Sequence, residues 1–307
     1  LKIFDVHCDM LYKLWRDPSI DPYEHTSLHV SLKKLKNGNG NIQCFAIFVP
    51  EDVPFNQRMD VALKQVSIFY EKVIKRSSDI RLLKTKDDIE ALGNDEIGAI
   101  LTLEGCDAIG DQLENLHILY RLGVRSVGLT WNYANLVADG AQEKRNGGIT
   151  NFGREVIGCL NNYKLWTDVS HASERSFWEA LEIANHPIAS HSNAYSLCPH
   201  VRNLKDEQIV ALFKKQGMIG ITFVPFFTSL NEHPKVGDVL NHIDHLCSLG
   251  GEHQIGFGSD FDGIDITIEG LDDFTYYENL HNELLKHYTV SQVEGFTYLN
   301  FIRHVSF

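Results

Sequence analysis

The sequence predicts a (β/α)8 barrel of the metal-dependent hydrolase type, and three observations carry that reading. Eight short apolar runs recur along the 307 residues, at 2–6, 42–49, 98–103, 124–129, 165–170, 187–190, 218–224 and 255–259. Most are continuous rather than alternating, which suits parallel strands covered on both faces. Helical patterns separate them, and several end on a glycine immediately before the next run. Finally, five of the runs stop at residues of metal-ligand type: His7 and Asp9, Glu104, His171, His191 and Asp260. Ligands this scattered meet at one point only if the strands close into a ring; an open doubly wound sheet would keep them apart.

Each element has a local reason. The segment 60–76 carries Val61, Ile68, Phe69 and Val73 at helical spacing, and 112–122, 173–185, 206–216 and 236–249 read similarly. Ser173 is an N-cap ahead of Phe177, Ala180, Leu181 and Ala184. Lys205-Asp206-Glu207 places acidic residues at the positive end of the next helix. Gly123 and Gly217 are C-cap glycines, each followed directly by a strand. Helices near 278–287 and 291–305 are expected on the outside. Two polar insertions stand out, 17–41 and 134–150. The second follows the fourth run, on the catalytic face of such a barrel, where it reads as a lid or as a tolerated surface loop. No linker or low-complexity stretch divides the chain, so residues 1–307 are read as one catalytic domain.

Bulk properties narrow the function. The 28 basic and 41 acidic residues leave a net charge of −13, which repels phosphate backbones and anionic lipid; neither nucleic acid nor membrane is an expected partner. Six cysteines without a CxxC pair (Cys8, Cys44, Cys106, Cys159, Cys198, Cys247) read as free thiols. No 18-residue apolar stretch and no leader is visible, so a cytoplasmic protein is expected. A homodimer is compatible with the sequence, which does not specify assembly.

The ligand-type residues suggest a dinuclear centre. His7 and Asp9 are two apart, which on a strand puts both on one face, roughly 7 Å apart at the backbone. Glu104 has an oxygen for each of two ions, and His171 and His191 complete the second. Three imidazoles and two carboxylates suit a pair of ions roughly 3.5–4 Å apart around a shared water.

The segments FDVHCDM, LTLEG, TDVSHAS, ASHSNAYS and GSDFDG resemble, in order and spacing, those of the renal or membrane dipeptidase family of zinc peptidases. The resemblance runs from Ile3 to about Gly263. It implies a (β/α)8 fold, two Zn²⁺ ions and cleavage of dipeptides. By position, His7 and Asp9 match the ligands of one zinc, Glu104 the bridging carboxylate, and His171 and His191 the ligands of the other. Arg202 matches the arginine that holds the substrate's terminal carboxylate, a role suited to a bidentate guanidinium fork. Asp260 matches the aspartate that shuttles the proton of the bridging water; Asp262, past the strand end, is read as a loop carboxylate.

One position departs from the family pattern. Trp131 stands where eukaryotic members have a substrate-contacting histidine, and indole offers an N–H but no acceptor. Asn132 is a second candidate donor there. His242 and His245, three apart on a helix, lack a third ligand and are read as structural or solvated. Tyr276-Tyr277 and Phe226-Phe227 suit packing better than a substrate pocket.

The expectation is therefore a zinc dipeptidase acting on small dipeptides with a free C-terminal carboxylate, D-residues included. The alternatives are another metal-dependent amidohydrolase (deacylase, deaminase or lactonase) on a small carboxylate-bearing substrate, or a non-catalytic metal-stabilised binding barrel.

Overall fold

Nine parallel strands appear in the computed structural model, which describes residues 1–307: β1 (Ile3–Asp5), β2 (Gly40–Phe48), β3 (Ile80–Leu82), β4 (Ile97–Glu104), β5 (Val124–Gly128), β6 (Trp166–Asp168), β7 (Pro187–Ala189), β8 (Met218–Ile221) and β9 (Ile255–Phe257). Eight of them close the expected barrel. Pairing runs β1–β2–β4–β5–β6–β7–β8–β9, and β9 returns to β1 through Phe257 and Asp5. The ninth, β3, was not expected. It pairs with the first part of β4, at Ile97–Ala99, while β5 takes the later part at Leu101–Leu103. Only Ile80 of its three residues is buried, so it carries no continuous apolar run.

Parallel strands buried on both faces need apolar side chains inside and out, and the interior shows why these runs qualify. Phe4, Ile42, Cys44, Ile100, Trp166, Ile188 and Met218 pack together from six strands, and Phe301 and Val305 join them from the C-terminal segment. Phe4, Trp166 and Phe301 form an aromatic triangle with centroids 5.5–6.4 Å apart. The Trp166 indole N–H is satisfied by the His304 carbonyl at 3.1 Å. The barrel is thus plugged at the N-terminal ends of its strands, leaving the opposite end for chemistry. Phe301→Ala should lower unfolding free energy by about 3–5 kcal/mol, as expected for a fully buried aromatic. Urea denaturation checks this; a change under about 1 kcal/mol would mean the plug carries little of the core.

The expected outer helices are present, most trimmed by a residue or two. Glu174–Ile183 starts on the Ser173 N-cap, whose side chain accepts from Ser176 N. The segment expected as one helix over 60–76 is an α-helix at Arg58–Ile68 that widens to π geometry at Phe69–Ile74. The C-terminal helix is likewise interrupted at Gly295–Leu299. Several helices were not anticipated, and two of them adjoin functional segments in sequence. Met10–Arg16 begins directly after Asp9, and Asn151–Asn162 starts on the Thr150 cap at the end of the 134–150 insertion. All six cysteines are free, and no helix is long and apolar enough to cross a membrane.

Candidate metal centre

Every ligand-type residue lies at a C-terminal strand end. β1 stops at Asp5, so His7 and Asp9 sit in the turn beyond it rather than on the strand. Two strand-end aspartates shape these turns in the same way. Asp5 Oδ1 accepts from His7 N at 3.1 Å and from Ser259 N at 3.0 Å across the β1–β9 seam. Asp168 Oδ1 accepts from Ser170 N at 2.9 Å and Ser190 N at 3.0 Å across the β6–β7 seam. Each locks a turn that carries a candidate ligand to its neighbour.

The turns are sharp enough to force two site residues into left-handed backbone: His171 at φ 67° and Asp260 at φ 64°. Such conformations cost on the order of 1–3 kcal/mol for a non-glycine and persist only when the surroundings impose them. Here Ala141 N and Thr130 Oγ1 both donate to the His171 carbonyl, at 2.7 and 3.2 Å. Gly263 permits close approach: a Cβ there would stand 2.3 Å from Asp9 Oδ2 and 2.5 Å from Asp260 Oδ1.

The side chains converge on Glu104. Its Oε1 lies 3.0 Å from His171 Nε2, 3.5 Å from His191 Nε2 and 3.5 Å from His7 Nε2. His7 Nε2 is also 3.4 Å from Asp9 Oδ2 and 3.7 Å from Asp260 Oδ1. The ligand atoms form three overlapping triads: His7-Asp9-Glu104, Glu104-His171-His191 and His7-His191-Asp260.

Hydrogen bonding tests whether this cluster fits cations. Asn132 Oδ1 sits 2.8 Å from His171 Nδ1 and Ser190 Oγ 2.7 Å from His191 Nδ1. Both partners accept, so both Nδ1 atoms carry the proton and both Nε2 atoms present lone pairs. Those Nε2 atoms face each other at 2.7 Å, an arrangement that repels unless a positive charge stands between or beside them. His7 Nε2 and Asp9 Oδ1 are buried without a hydrogen-bond partner, each an unmet polar group costing about 1–3 kcal/mol. The donor set is imidazole and carboxylate, the combination zinc takes in hydrolytic sites.

Electrostatics agree. Burial, then the neighbouring Asp9, raises the Glu104 carboxyl well above the usual range. Burial works against a proton on His7, yet Glu104 and Asp9 outweigh it and lift its pKa to about 10. Burial depresses His171 and His191 well below the ordinary imidazole value, with Arg202 and His7 adding to the effect. A carboxylate field strong enough to hold a proton on His7 is equally a field for divalent cations.

Arg202 is buried at 3% exposure. Burial draws its pKa down to about 10 against the pull of Asp260 and Glu104. One Nη2 donates to the His191 carbonyl at 3.2 Å, the guanidinium lies over the Phe227 ring at 5.4 Å, and its Nε has no partner. It lines a cavity of about 730 Å³ with His171, Tyr133, Gln142 and Tyr195, in the usual range for small-molecule sites. The 134–150 insertion is therefore a wall of this cavity, through Gln142 and Lys144.

Trp131 borders the cluster, its ring 6.1 Å from His171 and 5.3 Å from Phe48. Asn132 spends its carbonyl on His171. Asp262 is engaged elsewhere: its oxygens accept from His29 N, Val30 N and Lys13 Nζ, tying the 17–41 insertion to the barrel. His242 is fully buried, accepting from Ala194 N and donating to the Thr228 carbonyl; His245 meets Asp206 and Ser196. The two form no ligand cluster. Tyr277 is buried with its hydroxyl on Asp5, and Phe226 is exposed. Sequence reading missed Asp5, Asp168 and Ser190. Their one signal was an aspartate two or three residues before a ligand histidine, which also occurs in ordinary turns.

The family model for membrane dipeptidase (peptidase family M19) matches residues 1–306. The chain belongs to this family. M19 members are metallo-dipeptidases, peptide-bond hydrolases, and so is this protein. Among M19 relatives it is 29% identical to Dipeptidase tcpJ of Claviceps purpurea (strain 20.1), over 95% of this chain and 72% of that one. It is 30% identical to the uncharacterized dipeptidase C965.12 of Schizosaccharomyces pombe (strain 972), over 98% of this chain and 79% of that one. The fold superposes on an M19 metallopeptidase, dipeptidase AC, with TM-score 0.93 at 26% identity, covering 99% and 98% of the two chains. A Rhodobacter sphaeroides metallopeptidase, solved with a phosphinate mimic of the dipeptide L-Ala-D-Ala, gives TM-score 0.94 at 25% identity over 100% and 99%.

Proposed function

We propose that this M19 member is a dinuclear zinc dipeptidase that cleaves dipeptides with a free C-terminal carboxylate and tolerates a D-residue at that end. The observation that carries the reading is the pair of opposed Nε2 lone pairs on His171 and His191, with Glu104 Oε1 within 3.0–3.5 Å of both and of His7. His7, Asp9 and Glu104 would hold one ion, and Glu104, His171 and His191 the other. When bound, the two ions would lower the pKa of a shared water to about 7 and polarise the scissile carbonyl.

The remaining work falls to the chain's own residues. Asp260 faces the cluster with its carboxyl raised to about 7, by burial and then by Asp9, against His7 and Arg202. Asp260 Oδ1 lies 3.7 Å from His7 Nε2, close enough to the cluster to take the proton of the attacking water and return it to the leaving amine. Arg202 receives the terminal carboxylate through its unpaired Nε edge, holding the peptide so that its carbonyl lies over the cluster. A dipeptide needs only that anchor and the metal end. The phosphinate mimic of L-Ala-D-Ala in the R. sphaeroides protein supports a site open to a D-residue.

Trp131 and Asn132 stand beside His171, next to the cavity lining rather than in it. Asn132 holds His171 by its carbonyl and keeps its amide N–H₂ for the substrate; the Trp131 indole supplies apolar area and one N–H. Trp131→Ala should raise KM more than it lowers kcat, the pattern of lost uniform binding. Trp131→His should keep two metals per chain and shift turnover among dipeptides. Steady-state kinetics on a small panel, with metal content measured in parallel, test both. Unchanged kinetics in both variants would remove Trp131 from the pocket. The reading as a whole is tested by a dipeptide screen, including C-terminal D-residues, on chelated and zinc-restored enzyme. Failure of zinc to restore hydrolysis would overturn it.

A further inference from the structure

Asp168 lies at the end of β6, almost fully buried, and every one of its contacts is a donor. Oδ1 accepts the N–H groups of Ser170 and Ser190, and Oδ2 accepts the Ser190 hydroxyl at 2.5 Å. With its proton committed to Asp168, Ser190 Oγ can only accept from His191 Nδ1, 2.7 Å away. The imidazole is thereby fixed as the Nδ1–H tautomer, with its Nε2 lone pair aimed at Glu104 and His171.

We propose that Asp168 and Ser190 are positioning residues for the metal centre, a carboxylate–hydroxyl relay that sets the tautomer of His191. The inference rests on the reading that the cluster holds cations, and it concerns how one ligand is kept competent to do so. Relays of this kind orient and strengthen metal-bound histidines. The contrast with Asp5 is informative. Asp5 holds the same two kinds of backbone N–H, but its Oδ2 takes the Tyr277 hydroxyl at 3.0 Å and has no path to an imidazole. Of the two strand-end aspartates, only Asp168 is wired to a ligand.

Asp168→Asn makes the test sharp because the geometry dictates which way the amide points. The two backbone N–H groups at Oδ1 require an acceptor there, so the amide oxygen takes that place and the N–H₂ takes the place of Oδ2. It then donates to Ser190 Oγ. The hydroxyl proton is then no longer committed: it can turn to His191 Nδ1, which moves the ring proton to Nε2, or to Ser170 Oγ, 3.5 Å away, so the constraint that fixed the ring tautomer is lifted. The substitution leaves the side-chain volume nearly unchanged and removes the constraint on the tautomer.

The experiment uses the full chain. Ring ¹⁵N shifts of metal-free protein report the His191 tautomer, and competition against a chromogenic chelator reports Zn²⁺ affinity. Asp168→Asn should populate the Nε2–H tautomer of His191, absent in the parent, and weaken Zn²⁺ binding by about 10–100-fold. Ser190→Ala, which removes the hydroxyl altogether, should likewise leave both tautomers populated and weaken Zn²⁺ binding. It also keeps the test alive if Asp168→Asn folds poorly. Retention of the Nδ1–H tautomer and of parental Zn²⁺ affinity in either folded variant would overturn the relay. Should the parent itself bind no Zn²⁺, the dinuclear reading fails instead, while the tautomer measurement still judges the relay.

Discussion

Glu104→Gln is expected to lose bound metal and dipeptide hydrolysis together, with kcat/KM falling at least about a thousandfold, or roughly 4 kcal/mol of transition-state stabilisation. Glu104 is the one side chain within 3.5 Å of all three histidine Nε2 atoms. Glutamine keeps its shape but replaces one oxygen with a donor and removes the charge that balances the cations. The same substitution separates metal binding from folding. In metal-free protein, burial and Asp9 raise the Glu104 carboxyl. A carboxyl with a raised folded-state pKa binds its proton more tightly when folded, so its contribution to stability declines as pH rises through that pKa. Glutamine removes this penalty, and metal-free Glu104→Gln should melt no lower than the metal-free parent at neutral pH. Elemental analysis, kinetics and thermal melts read the three effects. Full metal content in the variant would take Glu104 out of the ligand set.

Arg202→Ala should weaken catalysis on dipeptides by about 2–5 kcal/mol, the cost of breaking a desolvated charge-assisted pair, or roughly 30- to 4,000-fold in kcat/KM. Its guanidinium is already stripped of water and has one nitrogen without a partner, so a substrate carboxylate would supply what the protein leaves unmet. C-terminally amidated dipeptides should lose much less. Arg202→Lys should fall between, since lysine keeps the charge and loses the fork. Equal losses on free and amidated substrates would assign Arg202 to supporting the His191 carbonyl, which it also touches, rather than to the substrate.

The parts of the fold legible in the sequence were those encoded by local periodicity. Buried parallel strands such as β4, apolar from Ile97 to Leu103, are hard to mistake, and so are helices with capped ends such as Glu174–Ile183. β3 was invisible because one buried residue makes no pattern, and Met10–Arg16 because the ligand turn runs straight into it. The candidate ligands were legible because each ends a strand or follows it within a few residues, and closure of the barrel then brings them together. What supports them was not. Asp168 reaches Ser190 across 22 residues, and Asp5 reaches Ser259 across 254; neither pairing leaves a local trace. The left-handed backbone at His171 and Asp260 was equally hidden, because the contacts that hold it come from loops distant in sequence.

The central claim is that two cations, held by His7, Asp9, Glu104, His171 and His191, are required for peptide hydrolysis. The most direct measurement is metal content per chain by elemental analysis, followed with dipeptide hydrolysis during chelation and stepwise return of Zn²⁺. The account predicts two ions per active chain, loss of activity on their removal, and recovery as they are restored. Fully active protein without bound metal would contradict it.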